Sequence, residues 1–269
     1  MIRNGLTLTM VFLAESANYG EGVGNITTLK KLSRGTYEQY SYISRQALRY
    51  NIIQQLGWDT TPVDGKSGVV QFAPTANIKD YPEIDFFGYM KTSAKGEDKK
   101  GGADTRSAVV RLSNAVSLEP YQSDLEFLTN IGLARRQDLD NAIAQSEIQK
   151  SFYSYTITID LDRIGVDGDL EISAEEKADR VKKFLDTIQY LYRDIKGRRE
   201  NLSPVFAITK MLGEIIESDE DIKNNTSVGV VTGIFQNDAE LKDTLNTKTV
   251  ADVFKQLKKE VDEYYGASN

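Results

Sequence analysis

The stretch from Leu6 to Tyr50 constrains this chain most. Leu6-Thr-Leu-Thr-Met-Val-Phe12 alternates apolar and polar residues, which predicts a strand with one buried face. Asn18-Tyr-Gly-Glu-Gly-Val-Gly-Asn25 follows as a glycine-rich loop, and then come Lys30, Lys31 and Arg34. Residues 41–56 read as a helix, with Ala47, Leu48, Ile52 and Leu56 on one face and Gly57 as its stop. The helix therefore begins just after the loop that leaves the strand. Its free N–H groups and positive dipole end gather with Ser44, Arg45 and Gln46 in one place, which suits phosphate. The segment holds no histidine or cysteine and few acids. Such a pattern grips a polyanion rather than transforming one.

Composition narrows the chemistry further. The 269 residues contain no histidine and no cysteine. Disulfides, thiolate metal sites and the commonest general base are thus excluded. A reducing, cytoplasmic setting fits. Arg3 ahead of Leu6–Ala14 has the outline of a short leader, but Thr7 and Thr9 break the apolar run. Glu15 falls where a cleavage site needs small residues, so a buried strand is expected there. No run is long and apolar enough to span a membrane as a helix, so no membrane partner is expected. The net charge of −7 is unevenly spread. Residues 1–111 hold 14 Lys and Arg against 11 Asp and Glu, net +3, while the rest hold 19 against 29, net −10. This is either a set of ordinary solvated faces or a basic groove on an acidic body.

Further elements follow from pattern. Residues 58–81 are irregular, broken by Pro62, Gly65, Gly68 and Pro74. Ile84–Met90 reads as a short aromatic strand, and Lys91–Arg106 as a mobile polar loop, either a surface excursion or a lysine-bearing finger. Ser107–Leu118 is strand-like, and Asp124–Ile131 and Asp138–Gln149 look helical. Phe152–Leu161 is the clearest strand. Ser173 caps a helix expected to run to about Ile195, with Val181, Phe184, Leu185, Ile188 and Leu191 inward. Arg198–Pro204 reads as a loop, Val228–Phe235 as a strand and Thr247–Tyr264 as an amphipathic helix. The order suggests an α+β fold with a split βαβ layout, of ferredoxin or RNA-recognition type, elaborated by insertions.

Motifs for chemistry fail on inspection. The run from Gly20 through Gly24 lacks the third glycine of a dinucleotide fingerprint, since residue 27 is Thr. Asp167-Gly168-Asp169 cannot be an EF-hand, because Arg163 and Ala174 would fall at ligand positions. Glu217–Asp221 reads as a solvated helix end or a weak cation site. No cofactor and no metal site are expected. Five of the 14 tyrosines lie between residues 19 and 50, for packing or for stacking on bases.

Taken together, Asn18-Tyr-Gly-Glu-Gly-x-Gly-Asn25, Tyr42-Ile-Ser-Arg-Gln-Ala-Leu-Arg49, Asp85–Met90, Ser107–Ser113, Tyr155–Asp160 and Gly197–Pro204 carry a resemblance. The chain resembles the DevR-type backbone subunit of type I-B CRISPR Cascade, a group of repeat-associated RNA-binding proteins. The resemblance implies an RNA-recognition-like palm over residues 1–57 and 151–269, fingers over 58–106 and a thumb over 113–150. It implies copies polymerising along a CRISPR guide RNA, each thumb reaching a neighbour and kinking the guide. Other Cascade subunits and, through the guide, target DNA would be partners. Ser44, Gln46 and Arg49 match the helix-start residues that contact the guide backbone. Arg45, Asn18, Lys30 and Lys31 are nearby candidates, with Arg198 and Arg199 further ones. Donors of this kind hold phosphate and 2′-OH groups without reading base identity. The resemblance implies a non-enzymatic role. Alternatives are a type III-like metal-dependent RNA nuclease, with Asp124, Asp138 or Asp140 in the thumb, and a DNA-binding autoregulator.

Overall fold

The computed structural model describes residues 5–35, 37–65, 68–92, 102–122, 124–212, 226–245 and 247–267. At its centre is an eight-stranded sheet. The first strand, Gly5–Ala14, lies antiparallel between Ser151–Asp160 and Phe206–Leu212. Val110–Leu112 and Ala115–Ser117 pair with the other side of Ser151–Asp160. Ala115–Ser117 passes the sheet on to Glu38–Ile43 and Lys31–Arg34, and Thr226–Val230 closes the opposite edge. Helices Arg45–Leu56 and Ala174–Gln189 follow the first strand and Ser151–Asp160 respectively. The chain is thus mixed α+β.

Alternation explains which face is covered. Leu6, Leu8, Met10 and Phe12 are buried together with Tyr153, Tyr155, Ile157 and Ile159. They pack with Leu48 and Ile52 of the first helix, Phe184 and Ile188 of Ala174–Gln189, and Phe254 and Leu257 of the helix Val250–Tyr265. Burial on this scale, roughly 1.5–3 kcal/mol per large apolar side chain, dominates the fold's stability. The intervening residues Thr7, Thr9, Ser154 and Thr156 lie on the other face, where the Thr9 and Thr156 hydroxyls meet at 2.9 Å.

A second, four-stranded sheet contains Asp124–Thr129, Ile143–Ile148, Ile26–Leu29 and Tyr19–Val23. The glycine-rich segment, expected as a loop, is therefore a hairpin. Asp124–Thr129 and Ile143–Ile148 are strands, not helices. Leu125 and Phe127 are 54% and 56% exposed. With no fully buried face, spacing of apolar residues says nothing about the period, and backbone pairing decides. Ile26–Leu29 joins Ile143–Ile148 in parallel, through Ile26 with Gln145 and Thr27 with Ser146.

Other expectations also shift. Pro82–Phe87 is a helix with proline in its first turn, followed by the strand Tyr89–Thr92. A short apolar run is ambiguous, and the proline was the overlooked start signal. Tyr89–Thr92 pairs with Ala103–Arg106, inside the expected loop; residues 93–101 and Glu217–Asp221 lie outside the described residues. The long helix stops at Gln189, and Tyr192–Ile195 pairs with Arg198–Asn201 as a hairpin. Lys196 and Gly197 both have positive φ there, as a tight hairpin turn demands.

Asp85, Arg106 and Arg180 bind residues 78–92 and 103–106 to the core. Asp85 is fully buried, 2.8 Å from Arg106 and 3.1 Å from Arg180. Gly88 ends the helix Pro82–Phe87 with φ +72° and ψ 177°, a region open essentially only to glycine. A Cβ at Gly88 would also overlap the Arg106 carbonyl oxygen. Gly88→Ala is expected to cost more than the roughly 1–3 kcal/mol of backbone strain alone, measurable as a lower midpoint in urea unfolding.

Candidate nucleic-acid interface

Ser44 caps the first helix. Its hydroxyl accepts from the Ala47 N–H at 3.2 Å. The Ser44 N–H in turn donates to Asn18 Oδ1 at 3.2 Å, and the Arg45 N–H donates to Asn114 Oδ1 at 2.9 Å. Lys30 N–H donates to the Asn18 carbonyl at 2.7 Å, and Tyr42 N–H to the Lys30 carbonyl at 3.0 Å. These bonds stitch three separate stretches of chain onto one helix terminus. Asn18 and Ser44, expected as ligand contacts, thus already make internal hydrogen bonds that set the helix start.

Beyond the cap the helix presents Arg45, Gln46 and Arg49 to a cavity of about 430 Å³. Phe87, Ala108, Val110, Arg111 and Leu112 complete its walls. The Arg49 guanidinium lies 5.0 Å from the centre of the Phe87 ring, a cation–π arrangement. Burial pulls the Arg49 pKa below its ordinary value, and the Glu83 carboxylate partly opposes this; an arginine nevertheless stays charged. Among the described residues, three guanidinium groups and no carboxylate thus line this cavity. None of the three is in an ion pair among the described residues. Such a cluster is poised for a polyanion, whose phosphates would satisfy charges the fold leaves open.

The other expected residues divide. Lys30 is half-buried and, among the described residues, in no ion pair. Lys31 is engaged, 2.8 Å from Glu147 and 4.4 Å over the Tyr121 ring. Burial pushes the Glu147 carboxyl up, but Lys31 and the Leu29 N–H outweigh it and hold the pKa below the usual value. Arg198 pairs with Glu15 at 2.9 Å and Arg199 with Asp194 at 2.9 Å. Both line a different cavity, of about 390 Å³, with Leu13 and Lys150. The structure therefore brings Arg45, Gln46 and Arg49 together and leaves Arg198 and Arg199 apart from them.

Residues 6–219 match the family described as CRISPR-associated negative auto-regulator DevR/Csa2. The chain belongs to that family. A DevR/Csa2 relative from Myxococcus xanthus (strain DK1622), named CRISPR-associated protein Cas7/Cst2/DevR, is 29% identical over 128 residues. That stretch covers 41% of this chain and 40% of the relative. Two solved structures share the fold. A chain of a CRISPR RNA-guided surveillance complex aligns with TM-score 0.56 and 12% identity, over 95% of this chain and 99% of that one. A chain of a pre-nicking CRISPR RNA-guided surveillance complex aligns with TM-score 0.53 and 10% identity, over 96% and 89%.

Within this DevR/Csa2 chain the residue that sequence reasoning missed is Arg111. It is exposed on the short strand Val110–Leu112 and lines the same cavity as Arg45 and Arg49. Its position inside Ser107–Ser113 was noted, but nothing in the linear pattern brings it beside Arg45 and Arg49. The antiparallel pairing of Arg111 with Thr158 does that, by fixing the strand against the central sheet.

Proposed function

We propose that this chain is a non-catalytic backbone subunit of a type I-B CRISPR effector complex. It binds guide RNA by its sugar–phosphate backbone and polymerises along it with further copies. The guide's bases stay available for target DNA, and other complex subunits complete the assembly. The observation that carries this reading is the arginine cavity: Arg45, Arg49 and Arg111 around one space, with Gln46 beside them and, among the described residues, no carboxylate in its lining. Donors of this type match phosphate and ribose oxygens and are indifferent to base identity. Family membership and the shared fold support the same conclusion.

The strand order supports an RNA-recognition-like palm. Phe206–Leu212, Gly5–Ala14, Ser151–Asp160 and the pair Val110–Leu112 and Ala115–Ser117 lie side by side as 4-1-3-2, the split βαβ pattern. We assign fingers to residues 58–106. We assign the thumb, expected over 113–150, to the hairpin 124–148 with the strands Tyr19–Val23 and Ile26–Leu29 behind it, because Ala115–Ser117 pairs into the central sheet. The exposed Leu125, Phe127, Leu128, Leu133 and Ile143 on this hairpin suit contact with a neighbouring copy. In the nuclease alternative a thumb aspartate would act. Asp124 starts one strand of the hairpin, whereas Asp138 and Asp140 lie in the connection at its far end, so Asp124 stands apart from both. Among the described residues no helix is long and apolar enough to cross a membrane; a cytoplasmic complex is our reading.

The test is the salt dependence of RNA binding. Fluorescence anisotropy with a labelled single-stranded RNA is run across a salt series for the native chain and for Arg45→Ala/Arg111→Ala. Both side chains are exposed, so the variant keeps its core. The slope of log affinity against log salt should flatten by about 0.7 per lost phosphate contact, roughly 1.4 in all. An unchanged slope overturns the site.

A further inference from the structure

Two lysines outside the hairpin 124–148 grip it at its root. The Lys196 ammonium donates to the Ser146 hydroxyl and lies 3.9 Å from the centre of the Tyr19 ring. Lys31 takes the next residue, 2.8 Å from Glu147, and lies 4.4 Å from the centre of the Tyr121 ring. Each lysine thus combines a hydrogen bond to the hairpin with a cation–π contact. Ser146 and Glu147 are neighbours on the strand Ile143–Ile148. Successive side chains of a strand point to opposite faces. The two lysines therefore hold one strand from both faces.

Both are firmly mounted. Lys31 opens a strand of the central sheet, where it pairs with Ser41. Lys196 sits in the turn between Tyr192–Ile195 and Arg198–Asn201. Arg193 and Glu200 of that hairpin are buried in hydrogen bonds to Ser16 and Ala17. Lys196 has φ +48°, a conformation that glycine or asparagine takes more readily in such a turn. Lysine there carries a cation to the root of the arm. Its target is dry, since Ser146 is 1% exposed. Burial lowers the Lys196 pKa, while Glu126, which pairs across from Ser146 and shares its face, pulls the other way.

A strand held on one face can pivot about that contact. Held on both faces at adjacent residues, it cannot turn without breaking one of them. The strands Asp124–Thr129 and Ile143–Ile148 are six residues each, so the arm is about 20 Å long. Over that length roughly 10° of slack at the root moves the far end by about 3 Å, comparable to the separation of atoms in a packed contact.

We propose that Lys31 and Lys196 are positioning residues that clamp the hairpin 124–148 and fix the direction in which it meets a neighbouring copy of this chain. A preset arm loses little freedom when copies join. The part in assembly rests on the reading of this hairpin as the element that touches a neighbour.

The clamp is measured on the full chain without RNA. The chain holds no cysteine, so Leu128→Cys and Lys255→Cys provide two unique sites for spin labels. Leu128 is exposed on the hairpin and Lys255 on the helix Val250–Tyr265. Pulsed dipolar spectroscopy in this background should give one narrow distance distribution. Lys31→Met/Lys196→Met keeps the side chains long but removes their charge, and should broaden the distribution and shift it by about 3 Å or more. Lys196→Arg keeps a cation and should preserve the native distribution. Ser146→Ala/Glu147→Gln removes the same contacts from the hairpin's side and should broaden it as well. Native distributions in both double variants overturn the clamp. On a long oligouridylate, Ser146→Ala/Glu147→Gln should leave the affinity of a first copy unchanged and weaken the uptake of later copies. Native uptake of later copies, with a broadened distribution, overturns the part in assembly. Failure of the native chain to bind RNA would sink the reading beneath it, and the spin-label distances would still decide the clamp.

Discussion

Replacing Glu200 with alanine should lower the free energy of unfolding by about 3–5 kcal/mol, the usual cost of orphaning a buried charge. Glu200 accepts from Arg193 Nη2 at 2.6 Å and Nε at 2.8 Å. It also accepts the backbone N–H groups of Glu15 at 2.6 Å and Ser16 at 3.1 Å. Arg193 reaches on to the Ala17 carbonyl at 2.5 Å and to that of Ser16. Both side chains are buried. The alanine variant would strand one guanidinium and two amides in the interior. Glu200→Gln keeps an acceptor and should recover part of the loss. Urea unfolding of the native chain and the two variants measures the series. A cost under about 1 kcal/mol for Glu200→Ala, the range of exposed ion pairs, would show the cluster to be solvated. Ser16 and Ala17 lead directly to Asn18 and the Ser44 cap, so on the proposed RNA-binding role the alanine variant should also bind RNA more weakly.

Asp85→Ala should cost a similar amount, about 3–5 kcal/mol, for the same reason at another junction. Asp85 accepts from Arg106, from Arg180 and from the Gly165 N–H at 2.9 Å. Arg106 continues to the Val166 and Arg163 carbonyls, and Arg180 to those of Ile78 and Lys79. One carboxylate therefore organises contacts among residues 78–85, Arg106, residues 163–166 and the long helix. Pairing Asp85→Ala with Arg180→Met in a double-mutant cycle separates loss of contact from loss of compensation. The double variant should lose clearly less than the two single losses added together, because the second change removes a charge that the first left unpaired. Simple additivity would mean that the two residues act independently.

The central strands were legible because one face of each is dry. Leu6, Leu8, Met10 and Phe12 alternate with Thr7, Thr9 and Val11, and Tyr155, Ile157 and Ile159 with Thr156 and Thr158. Helix starts at Ser44 and Ser173 were legible because capping is local chemistry. The projecting hairpin was not. Phe127 and Leu128 are both partly exposed, so the usual link between spacing and burial is broken there. Among the site residues, Arg45, Gln46 and Arg49 share one helical turn and were visible as a group. Arg111 enters from a strand 62 positions beyond Arg49, which only the sheet pairing brings close. Lys31 and Asn18 were visible as polar residues in the right stretch. That Glu147 neutralises one and the Ser44 amide engages the other depends on partners distant in sequence.

The parallel seam between Ile26–Leu29 and Ile143–Ile148 bears on how a shortened chain could be engineered. Excising residues 124–148 looks like a clean way to remove one protruding arm. It would instead take Gln145 and Ser146 away from Ile26 and Thr27. It would release the Leu29 amide and Lys31 from Glu147, and Lys196 from Ser146. The remaining hairpin 19–29 would present a raw strand edge to solvent, a template for clumping. A minimal version of this protein must therefore keep a surrogate strand along Ile26–Leu29, or trim the arm only outward of Ala144.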